Sequence, residues 1–311
     1  MNLVIYPDPN KDLNVNEKNY VNAPLFLKRF NCIKDTTINS LSDYTKKFID
    51  NINSITILLD NYGLFIFKNL DFIINNQHIK FYIHENDIHF LKSKPNTYKR
   101  YFSLRSKLKE NKHIYILAHY WYHYPKLYEI PVERIFCFPK FVFNKNISEI
   151  NTVPIKKILL SGSISSHYPM RRFLGSLNHP KIEILTHDDG IKGPDYIKYL
   201  KNFICCFACC LNKNTPYIIN KFFEIPSSGS LLLAYDEFVK KELEYIGFID
   251  GINYISCNKK NIIDKINWIC DHKNKKEIDK IRINGYNLIV NNHTEKNRYN
   301  FIENIITHKK I

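Results

Sequence analysis

Glycine and proline are scarce in this 311-residue sequence, at 9 and 13. That excludes collagen-like and linker-dominated chains, which depend on them. No apolar run approaches the ~20 residues that span a bilayer, so no integral membrane segment is expected. The amino terminus, Met1-Asn2-Leu3-Val4-Ile5-Tyr6-Pro7, turns polar too soon for a secretory signal. A cytoplasmic protein is therefore expected, with its eight cysteines as reduced thiols. Acidic residues are also in deficit: 30 Asp and Glu stand against 45 Lys and Arg, a formal charge of +15. A basic surface attracts nucleic acid, anionic membranes or phosphorylated ligands. The lysines are scattered, however, and no basic run is interleaved with aromatics. Heavy use of Asn, Lys, Ile and Tyr fits compositional drift, and no nucleic-acid partner is expected.

Hydrophobic residues make up 44% and charged residues 24%, which are globular values. The length suits two domains, each able to bury a core. Four cysteines stand in Cys205-Cys206-Phe207-Ala208-Cys209-Cys210. No second Cys pair or His pair follows at zinc spacing. The surrounding run is continuously apolar, so it reads as a buried strand with Cys as a small hydrophobe.

Short apolar runs predict strands over 3–6, 54–59, 64–67, 79–83, 114–118, 135–138, 158–161, 182–186, 203–210, 231–234 and 254–256. Amphipathic stretches predict helices over 40–52, 98–109, 170–177, 194–201, 218–227, 237–246, 260–271 and 275–291. Strands alternating with helices predict α/β units with parallel sheets. The pattern runs twice. A polar stretch from Phe143 to Pro154 suggests a boundary, giving domains over 1–148 and 149–311. Open α/β sheets bind ligands beyond the carboxyl ends of their strands, so a cleft between two such domains is the expected place for a site.

The most informative segment is Lys221-Phe-Phe-Glu224-Ile-Pro-Ser227-Ser228-Gly229-Ser230, leading into an apolar run. A Glu on a helix can accept two ribose hydroxyls. Small residues and Gly admit a ligand close to the backbone. Lys221 offers a point charge, and the helix start near 217–220 offers N–H groups to a diphosphate. The plain alternative is a helix, a turn and a strand with a solvated Glu. A second candidate loop is Ser161-Gly162-Ser163, followed by Arg171-Arg172. A Gly after a strand lets backbone N–H groups reach phosphate oxygens, and Arg171 or Arg172 could pair with a diphosphate. A solvated helix face is the reading for one of the two arginines, Arg172.

The Lys221–Gly229 segment resembles the nucleotide-sugar signature of GT-B glycosyltransferases, most similar to the spore-coat-type group related to glycosyltransferase family 4. In that group a Lys or Arg, an aromatic, a Glu, small residues and a Gly precede a strand. The resemblance implies that Glu224 holds the donor ribose. The parent family has a Glu-x7-Glu pattern, and Pro216 stands where its first Glu falls. The run Glu242 to Asn258 is similar to the family's helix, Gly turn and strand. His293-Thr294 with Arg298 resembles its ending, which implies that a last helix, about 295–311, packs back on the N-terminal domain. The stretch from Lys157 to Arg172 resembles the opening of its C-terminal domain. Residues 114–139 look like its last N-terminal strand, helix and strand. Ile79 through His84, Glu85, Asp87 and His89 resembles the family strand that ends in a His or acid near the sugar. A His there could contact a sugar hydroxyl or act as a base; a polar strand-exit loop is the alternative. Asp8, after the first strand, is a weaker candidate.

The resemblance implies two Rossmann-like parallel-sheet domains of GT-B type and transfer of a sugar from a nucleoside-diphosphate sugar, a UDP-sugar first, to a hydroxyl of a glycan or glycoconjugate. Expected donor-site residues are Gly162, Ser163, Arg171, Lys221, Glu224, Ser228 and Gly229. Expected catalytic residues are His84, Glu85 and Asp87. No Asp-x-Asp stands at a strand end, so no obligatory metal or other cofactor is expected. The alternative is a non-catalytic nucleotide-sugar or glycan-binding module on the same scaffold.

Overall fold

A computed structural model of the chain describes residues 1–7, 23–34, 40–58, 64–85, 106–119, 121–122, 130–166, 168–186, 191, 194–210 and 216–307. It divides into two compact units, Met1–Phe138 with Arg298–Ile311, and Pro139–Asn297. Asp8 and Asp87 lie outside the described residues, as do residues 98–105 of the expected helix over 98–109.

The first unit holds a parallel sheet of six strands: β1 (Asn2–Tyr6), β2 (Asn31–Lys34), β3 (Ser54–Ile57), β4 (Lys80–Glu85), β5 (Ile114–Ala118) and β6 (Ile135–Cys137). Their order is β2-β1-β3-β4-β5-β6. Alternate residues define its faces. Leu3, Ile5, Ile55, Ile57, Phe81, Ile83, Ile114 and Ile116 share one core with Leu41, Ile66, Leu70 and Ile73. On the other face Tyr82 stacks on Tyr115 at 5.2 Å. The helix Glu295–Ile306 packs there, with Phe301 6.2 Å from Phe136 and the Tyr82 hydroxyl donating to Ile305 O at 3.4 Å.

Two expectations fail in this unit. Residues 64–67 are not a strand but part of the helix Leu64–Lys68. The buried residues Ile66, Leu70 and Ile73 recur at helical spacing across it and the following helix Leu70–Asn75. Strand β2 was missed because it is a half-exposed edge strand without an apolar run.

The second unit holds five parallel strands: β7 (Ile155–Ser161), β8 (Ile182–Leu185), β9 (Phe203–Cys209), β10 (Leu231–Tyr235) and β11 (Ile255–Cys257). Their order, β11-β10-β9-β7-β8, repeats that of the first sheet with one strand fewer. In both, the chain moves to one side of its first strand and then crosses to the other. The crossing lies between β1 and β3, and between β7 and β9. Such a switch point leaves an opening at the carboxyl ends of the strands.

The cysteine-rich strand β9 is buried along its whole length and paired on both sides. That is the environment of a parallel-sheet centre, and it accounts for the unbroken apolar run. Burial pushes the Cys206 thiol up to about 12. Among the described residues no three His, Cys, Asp or Glu side chains come together as a metal site.

The stretch expected to be a linker belongs to the second unit. Val142 N–H donates to His293 O and Glu295 N–H to Val142 O, both at 3.0 Å, and Ser148 N–H donates to Ser227 O at 3.3 Å. Arg282 is fully buried in the helix Lys275–Asn292. Its Nε donates to Gly229 O and its Nη2 to Asn151 O, each at 2.9 Å. The boundary of the units, Phe138/Pro139, thus precedes the 148/149 position expected from polarity and proline. Among the described residues, no helix is long and apolar enough to cross a membrane.

Candidate functional site

The switch point of the second unit collects polar side chains from four elements. Strand β7 ends at Ser161, and Gly162 turns away with φ +92°, a left-handed conformation that favours glycine. Its N–H donates to Leu185 O at 2.9 Å. A Cβ at Gly162 would lie 2.7 Å from Lys221 Nζ and 3.2 Å from Arg171 Nη1. The missing side chain is therefore what leaves room for two cations at the strand end. Ser163 follows, half-buried, on the same turn.

Arg171 comes from the helix Pro169–Ser176 and is 3% exposed, whereas its neighbour Arg172 is exposed. Its guanidinium lies over the Tyr168 ring at 3.9 Å, and its Nε has no hydrogen-bond partner among the described residues. Stacking replaces part of the hydration that burial removes. Lys221 opens the helix Lys221–Ser227. Its ammonium donates to Ser161 O and, at 2.9 Å, to Ser161 Oγ. Ser161 Oγ lies 2.7 Å from the Tyr196 hydroxyl, and Tyr196 comes from the helix Pro194–Leu200.

Two cations close together in a half-buried place oppose each other's charge. Burial, then the charge of Arg171, lowers Lys221 from the ordinary lysine range to about 7, and Glu224 opposes the shift. Burial raises Glu224 above the usual carboxylate range, against the pull of Lys221 and Lys140. Glu224 lies one turn along the same helix from Lys221, as the i,i+3 spacing requires.

The structure does not bring all the expected donor residues to this point. Ser228 is fully buried and its hydroxyl donates to Ile225 O at 2.7 Å. Gly229, at φ +80°, makes the turn into β10, and a Cβ on it would meet Ile150 Cα at 2.9 Å. Both residues are occupied in ending the helix and seating residues 148–151. The expected N–H groups of the helix start are partly taken as well. Phe223 and Glu224 N–H both donate to Asn220 O at 2.9 Å, and Phe222 N–H to Ile219 O at 3.1 Å.

In the first unit, His84 stands on β4 and is 2% exposed. Its Nε2 faces Nε2 of His119 at 3.3 Å, and His119 Nδ1 bonds Phe138 O. A carbonyl accepts only, so His119 Nδ1 carries a proton. One of the two facing Nε2 atoms carries the proton that joins the rings. Glu85 ends β4, its backbone paired with Ala118.

Sequence reasoning missed His119, Tyr196 and Lys140 as members of these clusters, and it gave Ser161 a place in the candidate loop without a role. His119 had a usable signal, since it directly follows β5 and His84 stands near the end of the neighbouring β4. Nothing local marks Tyr196.

No family model matches the chain, and no curated protein does. Solved structures do. Anabaena Alr3699/HepE, in complex with UDP and glucose, shares 10% identity over 98% of this chain and 99% of its own, with a TM-score of 0.63. The fold is GT-B. A glycosyltransferase from Rickettsia africae ESF-5 shares 13% identity over 99% of this chain and 97% of its own, with a TM-score of 0.58. A variant of S. aureus TarM, solved with fondaparinux, α-GlcNAc-glycerol and UDP, shares 14% identity with a TM-score of 0.52; the GT-B chain described here matches 57% of its length.

Proposed function

We propose that this protein is a glycosyltransferase that moves a sugar from a nucleoside-diphosphate sugar, a UDP-sugar first, to a hydroxyl of a glycan or glycoconjugate. The observation that carries the reading is the meeting of Arg171 and Lys221 at Gly162, at the switch point of a GT-B sheet. Glycosyl transfer places growing negative charge on a departing diphosphate. Fixed cations aimed at those oxygens lower the barrier. Arg171 and Lys221 serve the diphosphate, with the Gly162–Ser163 turn close by, and Glu224 accepts from the ribose. With two cations already at that point, we read the transfer as metal-independent. His84, held by His119, serves the acceptor hydroxyl as a base, and Glu85 and Asp87 are proposed with it from the sequence alone. The Lys221–Gly229 segment supports assignment to the spore-coat-type group. The expected location is the cytoplasm.

A second reading, a binding module without turnover, rests on Pro216 standing where the parent family has its first Glu. Thermal unfolding with UDP, GDP, dTDP and CMP, with and without magnesium, tests the donor site, because a ligand bound only by the folded state raises Tm. One nucleotide should raise Tm regardless of magnesium, and Glu224→Ala should abolish the shift. A shift with none of them sinks the donor-site reading. Binding without hydrolysis or transfer of the matching sugar nucleotide would favour the binding module.

A further inference from the structure

Lys221 has three N–H donors, and two are spent on Ser161, on its carbonyl and on its hydroxyl. That hydroxyl is tied in turn to Tyr196, whose ring lies 5.7 Å from Lys221 Nζ. The chain Tyr196–Ser161–Lys221 fixes the ammonium, leaving one donor to aim at a ligand. The distances from Gly162 put the two cationic nitrogens no more than about 6 Å apart, where like charges repel. Among the described residues, neither Lys221 nor Arg171 forms an ion pair within 4.0 Å.

The other groups facing Lys221 are few. Glu224 lies on its own helix, Cys206 and Cys209 come from β9, and Tyr196 comes from the helix Pro194–Leu200. Lys140 acts on Glu224. Burial raises both thiols and the Tyr196 hydroxyl, so those three carry no charge near neutrality. Glu224 is the carboxylate that faces Lys221 among these groups, and burial weakens its hold on a negative charge.

We propose that Tyr196 and Ser161 are positioning residues for the donor diphosphate, holding Lys221 beside Arg171 so that a nucleoside diphosphate binds together with one proton. The proposal rests on the donor-site reading above. The diphosphate offsets the repulsion from Arg171, and the Lys221 amine then takes a proton from solvent and becomes an ammonium. No other bond changes. The direction agrees with the lowered proton affinity of Lys221 in the unliganded site. Below neutrality the amine is already charged and no proton is taken up. Above neutrality, uptake approaches one proton, and affinity falls by up to about tenfold per pH unit.

The test is calorimetry of UDP-glucose binding at pH 8 in HEPES and in Tris, which release protons with different heats. UDP-glucose is chosen because its diphosphate is esterified at both ends and does not titrate near neutrality. Wild type should give heats that differ between the buffers by about 0.5–1 proton per site. Lys221→Arg, permanently charged, should bind with buffer-independent heat and a flat pH profile. Tyr196→Phe should fold, melt within a few degrees of wild type and bind about 3- to 10-fold more weakly, the loss of one hydrogen bond. Equal heats in both buffers for wild type would overturn the proton linkage and leave the donor site standing. Unchanged affinity in Tyr196→Phe would overturn its positioning role. Failure of both wild type and Lys221→Arg to bind UDP-glucose would count against the donor-site reading itself.

Discussion

The two sheets share a strand order, yet polar groups gather in them differently. In the second unit, Arg171, Lys221, Tyr196 and Ser161 come from three helices and a strand and meet at the switch point. Two are cations, and neither has a carboxylate partner there among the described residues. In the first unit, His84 and His119 come from adjacent strand ends, outside the β1/β3 switch point, and hold each other. One cluster is cationic and arranged around a glycine; the other is a pair of imidazoles 3.3 Å apart at their Nε2 atoms. The difference teaches that one topology gathers two cations in one copy and two imidazoles in the other. Fold alone does not assign chemistry to either.

That contrast can be broken by substitution. The largest effect is expected from His84→Ala, which should lower kcat by about 10²–10³-fold, as loss of a general base does, while leaving UDP-glucose affinity unchanged. Steady-state kinetics beside calorimetry would check it; weakened nucleotide binding would instead put His84 in the donor's service. Arg171→Ala should do the reverse. A buried, charge-assisted contact is lost, so nucleotide binding should weaken by about 10- to 100-fold. Proton uptake on binding should also shrink, because the repulsion on Lys221 is gone.

The smallest effect concerns stability. The folded state holds the Lys221 proton less tightly than the unfolded chain, so between about 7 and the ordinary lysine value the unfolded chain binds more protons. Stability linked to this group therefore rises with pH across that window. Lys221→Met removes the linkage. Its Tm should exceed wild type by a few degrees at pH 6, roughly 2–4 °C per kcal/mol, and the gap should narrow toward pH 10. A gap that stays constant with pH would show that Lys221 is not strained by its neighbours.

Much of the fold was legible because its signals are local. The run 114–118 coincides with β5, and 203–210 covers β9 with one residue to spare. The failure at 64–67 shows the limit: four apolar residues fit either period until the burial of Ile66, Leu70 and Ile73 decides it. The apparent linker failed for a related reason. Polarity and proline between Phe143 and Pro154 say nothing about where Val142 and Ser148 place their backbone hydrogen bonds. In the site, Gly162, Arg171, Lys221 and Glu224 were legible as residue types in a pattern. Ser228 and Gly229 belonged to the same pattern, and their groups are used by the helix end. Tyr196 was invisible, because its link to Ser161 spans 35 positions.

The sequence by itself determined the alternation of strands and helices, its repetition, the buried cysteine strand and the residues able to meet an anion. These follow from periodicity, burial preference and backbone freedom, which are properties of neighbouring residues. Only the tertiary structure decided which of those residues meet. Strand order set β7 beside β9, glycine left a gap at Gly162, and packing brought Arg171 and Lys221 to it from positions fifty apart in the chain. Mutual repulsion between two such charges depends on distance through space, and spacing along the chain does not specify that distance.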